Sequence, residues 1–258
     1  MATPDVWAKR ARAAGYRSRA SFKLRQLDDS FDLFDGVEAV VDLGAAPGGW
    51  LQVAIERTNP DTPVVGVDRR SIPPLDHDQG NRLHLIQGDI TEEATRRELE
   101  RAVEGSVGLV LSDMAPDMSG TYDLDHARSV HLGRQAFAVA RSLLAPGGDL
   151  VIKVFEGRDL AAFRAELDDA FEYVATARPE ATRDASSEVY LVAKGFLTAP
   201  VRPGERHRVT IEAIGDEGDG IARIEGFTLF VPDTDVDDQV EIEVTDVKPR
   251  FGFARRLS

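Results

Sequence analysis

The sequence has no cysteine, and only five of its 31 basic residues are lysine. The first absence excludes a disulfide framework, a thiolate metal site and cysteine nucleophilic chemistry, and it fits a reducing, cytoplasmic setting. Long apolar runs are missing too: none approaches the ~20 residues that span a bilayer. The N-terminal stretch MATPDVWAKRARAAGYRSRA carries no signal-like apolar core. Neither export nor membrane insertion is expected, no residue set suggests a metal site, and no internal repeat is present.

Positive charge is scarce over most of the chain. With 45 acidic residues the net charge is -14, which for the chain as a whole argues against a phosphate-rich partner. The distribution qualifies that argument. Residues 1–27 hold seven basic groups (Lys9, Arg10, Arg12, Arg17, Arg19, Lys23, Arg25) and one acid, Asp5, leaving 24 basic against 44 acidic residues elsewhere. One basic arm therefore precedes an acidic body. The lysine-poor, acid-rich bias suits a protein that folds in concentrated salt, where an acidic surface keeps the chain soluble. An ordinary acidic cytosolic protein is the alternative. In strong salt, phosphate attraction is screened, so RNA binding would also need hydrogen bonds and stacking.

At 258 residues the chain suits one main domain with a small appendage. After a helix expected near 18–30, strand-like runs EAVVDLG, PVVGVD, LHLIQGD, VGLVLSD and DLVIKVF alternate with helical stretches near 49–58, 92–104, 125–144 and 159–170. Such alternation predicts an α/β fold with a mostly parallel, Rossmann-like sheet. FEYVATARP and SEVYLVAKGF follow with no helix between them, which predicts antiparallel pairing at or near a sheet edge. Beyond Pro200 and Pro203, short alternating strands punctuated by Gly, Asp and Pro predict a small β-barrel. Residues 1–199 and 200–258 thus read as two modules.

In an open α/β sheet, ligands bind outside the carboxyl ends of the strands. The first strand ends there in DLGAAPGGW, a turn nearly cleared of side chains. It is not a dinucleotide fingerprint, because position 46 is Ala and Pro47 removes a backbone donor, which disfavours a nicotinamide enzyme. A cofactor with little negative charge, an amino-acid end and an adenosine fits better: S-adenosylmethionine. Asp68 and Asp89 close the next two strands, where carboxylates suit ribose hydroxyls and an adenine amino group; exposed acids at strand ends are the plain alternative. Asp113 follows the fourth strand, beside a Met-containing loop whose methionines read as packing. Lys153 lies inside an apolar strand, where a lysine is costly unless it is used or paired. Were the strand beginning at Glu188 antiparallel, Asp113, Lys153 and Glu188 would meet at one edge.

These stretches, YRSRASFKL, VVDLGAAPGGWLQ, GVD, LIQGDI, SDMAPDMSGTYDLDH, LVIKVFEG and SSEVYLVAKGF, resemble in order the FtsJ-like (RlmE) family of RNA 2′-O-methyltransferases. The resemblance covers residues 8 to about 197 and implies a class I S-adenosylmethionine-dependent fold. It implies a catalytic tetrad of Lys23, Asp113, Lys153 and Glu188, with cofactor contacts at Gly48, Trp50, Asp68, Asp89 and Asp113. Core packing is the other reading of Trp50. The implied substrate is a uridine 2′-hydroxyl of large-subunit (23S) rRNA, as naked RNA or in a ribosomal particle, with tRNA as runner-up. An RNA-binding assembly factor with incidental catalysis is a reading from a different class. The C-terminal piece resembles a TRAM domain. There Lys248, Arg250, Phe251, Phe253, Arg255 and Arg256 offer cations and stacking faces for RNA, or else an aromatic barrel core with solvated charges.

Overall fold

Valine-rich segments that are buried on both faces build the central sheet of the computed structural model, which describes residues 6–75, 82–103, 106–183 and 185–257. Asp5 of the basic arm, the expected helical position 104 and the final Ser258 lie outside the described residues. The chain forms two units: Met1–Asp169 with Tyr173–Lys194, and Ala170–Glu172 with Gly195–Ser258.

In the larger unit, β1 (Val40–Leu43), β2 (Val64–Asp68), β3 (Leu83–Gln87), β4 (Val107–Ser112) and β5 (Leu144–Phe155) pair in parallel, whereas β7 (Glu188–Phe196) runs antiparallel to β5. With β6 (Phe171–Ala177) at one edge, the order is β3-β2-β1-β4-β5-β7-β6. The direction of winding reverses between β1 and β4, so the carboxyl ends of those strands open a crevice. All four residues of β1 are buried. β-Branched side chains suit such a strand, covered on both faces. The helices are α1 (Val6–Ala13), α2 (Ala20–Phe31), α3 (Gly49–Arg57), α4 (Glu93–Ala102), α5 (Tyr122–Leu143) and α6 (Leu160–Asp168). One core joins Leu24 and Leu27 of α2, Trp50, Leu51 and Val53 of α3, and Leu109, Leu111, Val151, Tyr190 and Val192 of the sheet.

Two expectations shift. The basic arm contains a helix of its own, α1, whose Arg10 guanidinium lies 4.7 Å from the Trp7 ring. The strand expected at DLVIKVF begins five residues earlier: α5 passes directly into β5 at Leu144, and the pairing with β4 jumps from Val107↔Leu144 to Leu109↔Asp149. Gly147, at φ 88, sits within that irregular start.

The smaller unit is one curled six-stranded sheet, a half-barrel, ordered β8-β12-β13-β11-β10-β9. Its strands are β8 (Arg206–Thr210), β9 (Ala213–Ile214), β10 (Gly220–Ile224), β11 (Phe227–Val231), β12 (Gln239–Val247) and β13 (Phe251–Leu257). β8 and β9 are parted by a corner at Ile211, whose N–H donates to the Asp238 carbonyl while the next N–H donates to the Ile221 carbonyl. Glu225 and Gly226, at φ 49 and φ 85, turn the β10–β11 hairpin, the positive-φ pair that two-residue hairpins favour. The alternating residues Val209, Leu229, Val231, Ile242 and Val244 form the core, joined by Ala199 and Val201. Packing in this unit thus begins on both sides of Pro200.

Candidate active site

The turn after β1 is cleared for neighbouring protein as much as for a ligand. Gly44 and Gly48 have φ of 81° and 102°. A Cβ on Gly44 would lie 2.7 Å from the Met114 side chain, one on Gly48 2.9 Å from Arg17 Nη1, and one on Gly49 would collide with Ser18 Oγ. Beneath this turn Asp42 is fully buried, and neither carboxylate oxygen has a hydrogen-bond partner. Burial, reinforced by the Asp113 and Asp68 carboxylates, pushes its carboxyl well above the usual range, against the pull of Lys153.

Asp68 ends β2 with Oδ2 accepting from the Ala46 N–H at 3.0 Å and Oδ1 accepting from the Arg70 N–H at 2.8 Å. Asp89 lies two residues past β3, where its Oδ1 accepts the N–H and hydroxyl of Thr91; these bonds hold its carboxyl below the ordinary range. Trp50 is 3% exposed, its Nε1–H donates to the Ala20 carbonyl at 2.8 Å, and its ring stands 5.8 Å from that of Tyr190. The indole is therefore core. What Trp50 leaves for a ligand is its main chain in the first turn of α3, where helix N–H groups lack intrahelical partners.

At the same edge the four polar residues form two ion pairs. Lys153 Nζ lies 2.9 Å from Asp113 Oδ1 and also donates to the Asp113 carbonyl at 2.5 Å. Lys23, from α2, donates to Glu188 Oε1. The register of β5 and β7 places these groups: Phe155 faces Glu188, and Lys153 faces Tyr190. Tyr190 links the pairs, because its hydroxyl donates to Asp113 Oδ1 at 3.0 Å while Lys23 Nζ stands 5.8 Å from its ring. Two buried lysines, each held by its own carboxylate and joined through a phenol, form a rigid, nearly charge-balanced cluster.

Residues 16–196 match the FtsJ-like methyltransferase model, and residues 200–257 match the TRAM domain. The chain belongs to the FtsJ-like methyltransferase family. Along its whole length this FtsJ-like methyltransferase is 56% identical to a Halorubrum lacusprofundi protein named ribosomal RNA large subunit methyltransferase E, covering 95% of that protein. A Halobacterium salinarum protein of the same name is 55% identical over 98% of this chain and 96% of its own. Among solved structures, a Plasmodium falciparum protein described as a ribosomal RNA methyltransferase aligns with 70% of this chain and 98% of its own, at TM-score 0.61 and 27% identity. The acid-rich, lysine-poor composition fits the halophilic archaeal relatives.

Two residues of this candidate site escaped sequence reasoning. Tyr190 reads as an ordinary strand aromatic; the available signal is its i+2 spacing from Glu188, which puts both side chains on one face. Burial and the nearby Asp113 and Glu188 carboxylates push its hydroxyl well above the usual phenol range, so it acts as a donor. In sequence Asp42 is only the acid that opens DLGAAPGGW, whereas its lack of a partner is a property of the packing. Among the described residues, no cluster of three or more His, Asp or Glu side chains could hold a metal ion, and no helix is long and apolar enough to cross a membrane.

Proposed function

We propose that this FtsJ-like chain transfers a methyl group from S-adenosylmethionine to the 2′-oxygen of a uridine ribose in large-subunit rRNA. The observation that carries the reading is the pair of buried lysine–carboxylate bridges meeting at Tyr190 on the carboxyl edge of the sheet. The names of the full-length relatives support the RNA class.

The residues of the crevice fit the cofactor. Asp42 offers a buried carboxylate without a partner in a place suited to an ammonium group, and Asp68 and Asp89 offer further acceptors. Gly48, the Trp50 main chain, Asp68, Asp89 and Asp113 would hold the cofactor, which supplies a methyl group on a sulfonium, already an activated leaving group. Lys153, held by the carboxylate and the main-chain carbonyl of Asp113, would orient the 2′-hydroxyl and, in its neutral amine form, take the hydroxyl proton as the new O–C bond forms and the methyl–sulfur bond breaks. Lys23, anchored by Glu188, would contact the hydroxyl or the adjoining phosphate. Tyr190 would fix the distance between the two bridges. Alignment of this kind supplies ~7 kcal/mol or more in favourable intramolecular reactions, and the tight hydrogen bonding of the cluster suits that use.

Residues 1–199 would then be the catalytic domain, and 200–258 an RNA-binding half-barrel. In the latter, Phe251 and Phe253 are 38% and 39% exposed with rings 5.6 Å apart, edge to face, available to stack on bases. Of the neighbouring cations, Lys248, Arg255 and Arg256 are each paired with an acid, so the aromatics carry more of the reading than the charges do. The cytoplasm, where ribosomes are assembled, is the expected location. Incubation with radiolabelled S-adenosylmethionine and ribosomal subunits should label large-subunit RNA, and Lys153→Ala should lose the label while cofactor binding survives. Label on tRNA alone would redirect the substrate, and full labelling by the variant would remove Lys153 from the reaction.

A further inference from the structure

A single side chain ties together the two loops that flank the expected cofactor crevice. Arg17 precedes α2. Its Nη1 donates to the carbonyls of Pro47, in the turn after β1, and Pro73, in the loop after β2, at 3.0 and 2.6 Å. Its Nη2 donates to the carbonyl of Pro74. The base of the side chain is pinned as well. Gln52 of α3 accepts from the Arg17 N–H at 2.9 Å through Oε1, and through Nε2 donates to the Gly15 carbonyl at 3.0 Å. The same short segment continues with the Trp50 indole donating to Ala20 and the Ser21 hydroxyl donating to Gly49 at 2.9 Å. Gly48 belongs to this arrangement, since any Cβ there would strike the guanidinium.

We propose that Arg17 is a positioning residue for the cofactor site, clasping the turn after β1 to the loop after β2 and tying both to the helix that carries Lys23. The proposal rests on the reading of this crevice as the S-adenosylmethionine site. A guanidinium suits the task because its planar fork reaches several carbonyl oxygens at once, while a lysine ammonium acts as a point charge on a flexible stem. The competing role is phosphate gripping with the rest of the basic arm. Against it, both terminal nitrogens already donate to main-chain carbonyls in two loops. Clasping also explains why a glycine-cleared turn is overlaid by a basic segment.

The test uses the full-length protein, with S-adenosylmethionine binding by calorimetry, steady-state kinetics on ribosomal subunits, and thermal melts to confirm folding. Losing charge-assisted bonds of this kind should weaken cofactor binding by about tenfold or more in Arg17→Ala. The KM for cofactor should rise similarly, while kcat at saturating cofactor stays within about threefold of wild type. Arg17→Lys should recover only part of the loss, and Gln52→Ala, which frees only the base of the clasp, should show a smaller rise in Kd. Cofactor affinity within twofold of wild type in folded Arg17→Ala, with RNA affinity reduced, would overturn the clasp and assign Arg17 to phosphate. No binding by the wild-type protein would instead overturn the cofactor assignment on which the clasp rests.

Discussion

The ion pairs at the carboxyl edge of the larger unit's sheet and those on the half-barrel use the same residue types in opposite surroundings. Lys23 and Glu188 side chains are 5% and 10% exposed, whereas Arg223 and Glu212 on the half-barrel are 51% and 47% exposed. Taking a charged pair out of water costs several kcal/mol per ion before their attraction offsets it, and an exposed pair contributes between nothing and ~1 kcal/mol. The buried pairs are therefore poor stabilisers for their cost, and their persistence points to use. The exposed pairs are the ordinary solvated surface of an acid-rich protein. In strong salt this contrast sharpens, because screening reaches the exposed pairs and leaves the buried ones little changed.

The comparison can be broken at the buried pairs first. Lys153→Ala should reduce methyl transfer by about 10²–10⁴-fold, the usual contribution of a positioned proton acceptor, as read by single-turnover labelling. Lys23→Ala should lower activity and also stability, by about 3–5 kcal/mol, because it leaves Glu188 buried without its cation; the double variant Lys23→Ala/Glu188→Gln should melt at a higher temperature than the single one. Tyr190→Phe should lower kcat about tenfold and the melting temperature by several degrees, the loss of one hydrogen bond to a charged group.

Asp42 gives a subtler test, through pH. Because its folded-state pKa lies above the unfolded value of ~3.9, its carboxyl costs stability as pH rises past that value, and below it both states are protonated and the cost vanishes. Asp42→Asn should therefore raise the melting temperature of the cofactor-free protein, by about 2–4 °C per kcal/mol recovered, and by more at pH 8 than at pH 5. The same variant should bind S-adenosylmethionine more weakly. At the far end of the scale, Arg223→Ala should shift stability by less than about 0.5 kcal/mol and leave methyl transfer unchanged. A larger loss there would erase the contrast between the two regions.

Much of this contrast was legible in the residues themselves. The valine-rich runs and the Asp, Lys and Glu residues near their ends marked the sheet and its polar edge, because burial on both faces forces apolar strands and leaves polar residues to the rims. Which lysine joins which acid was not legible: Lys153 takes Asp113 and Lys23 takes Glu188 only because β7 runs antiparallel to β5 with Phe155 opposite Glu188. The glycines misled in part. A turn without side chains looks the same in sequence whether a ligand or Arg17, Ser18 and Met114 occupy the space. The corner at Ile211 was likewise hidden, since it depends on hydrogen bonds to Asp238 and Ile221 far along the chain.

The antiparallel strand has a consequence for the order of events during synthesis. Lys23 and Glu188 are separated by 165 positions, so the cluster closes only after nearly the whole larger unit has been translated. Domains tend to fold as units while they emerge from the ribosome, and contacts between such distant positions form late. Until β7 arrives, Lys23 has no carboxylate and Asp113 no phenol. On the proposed assignment of these residues, a nascent chain lacks its complete methyl-transfer cluster until its own translation is almost finished.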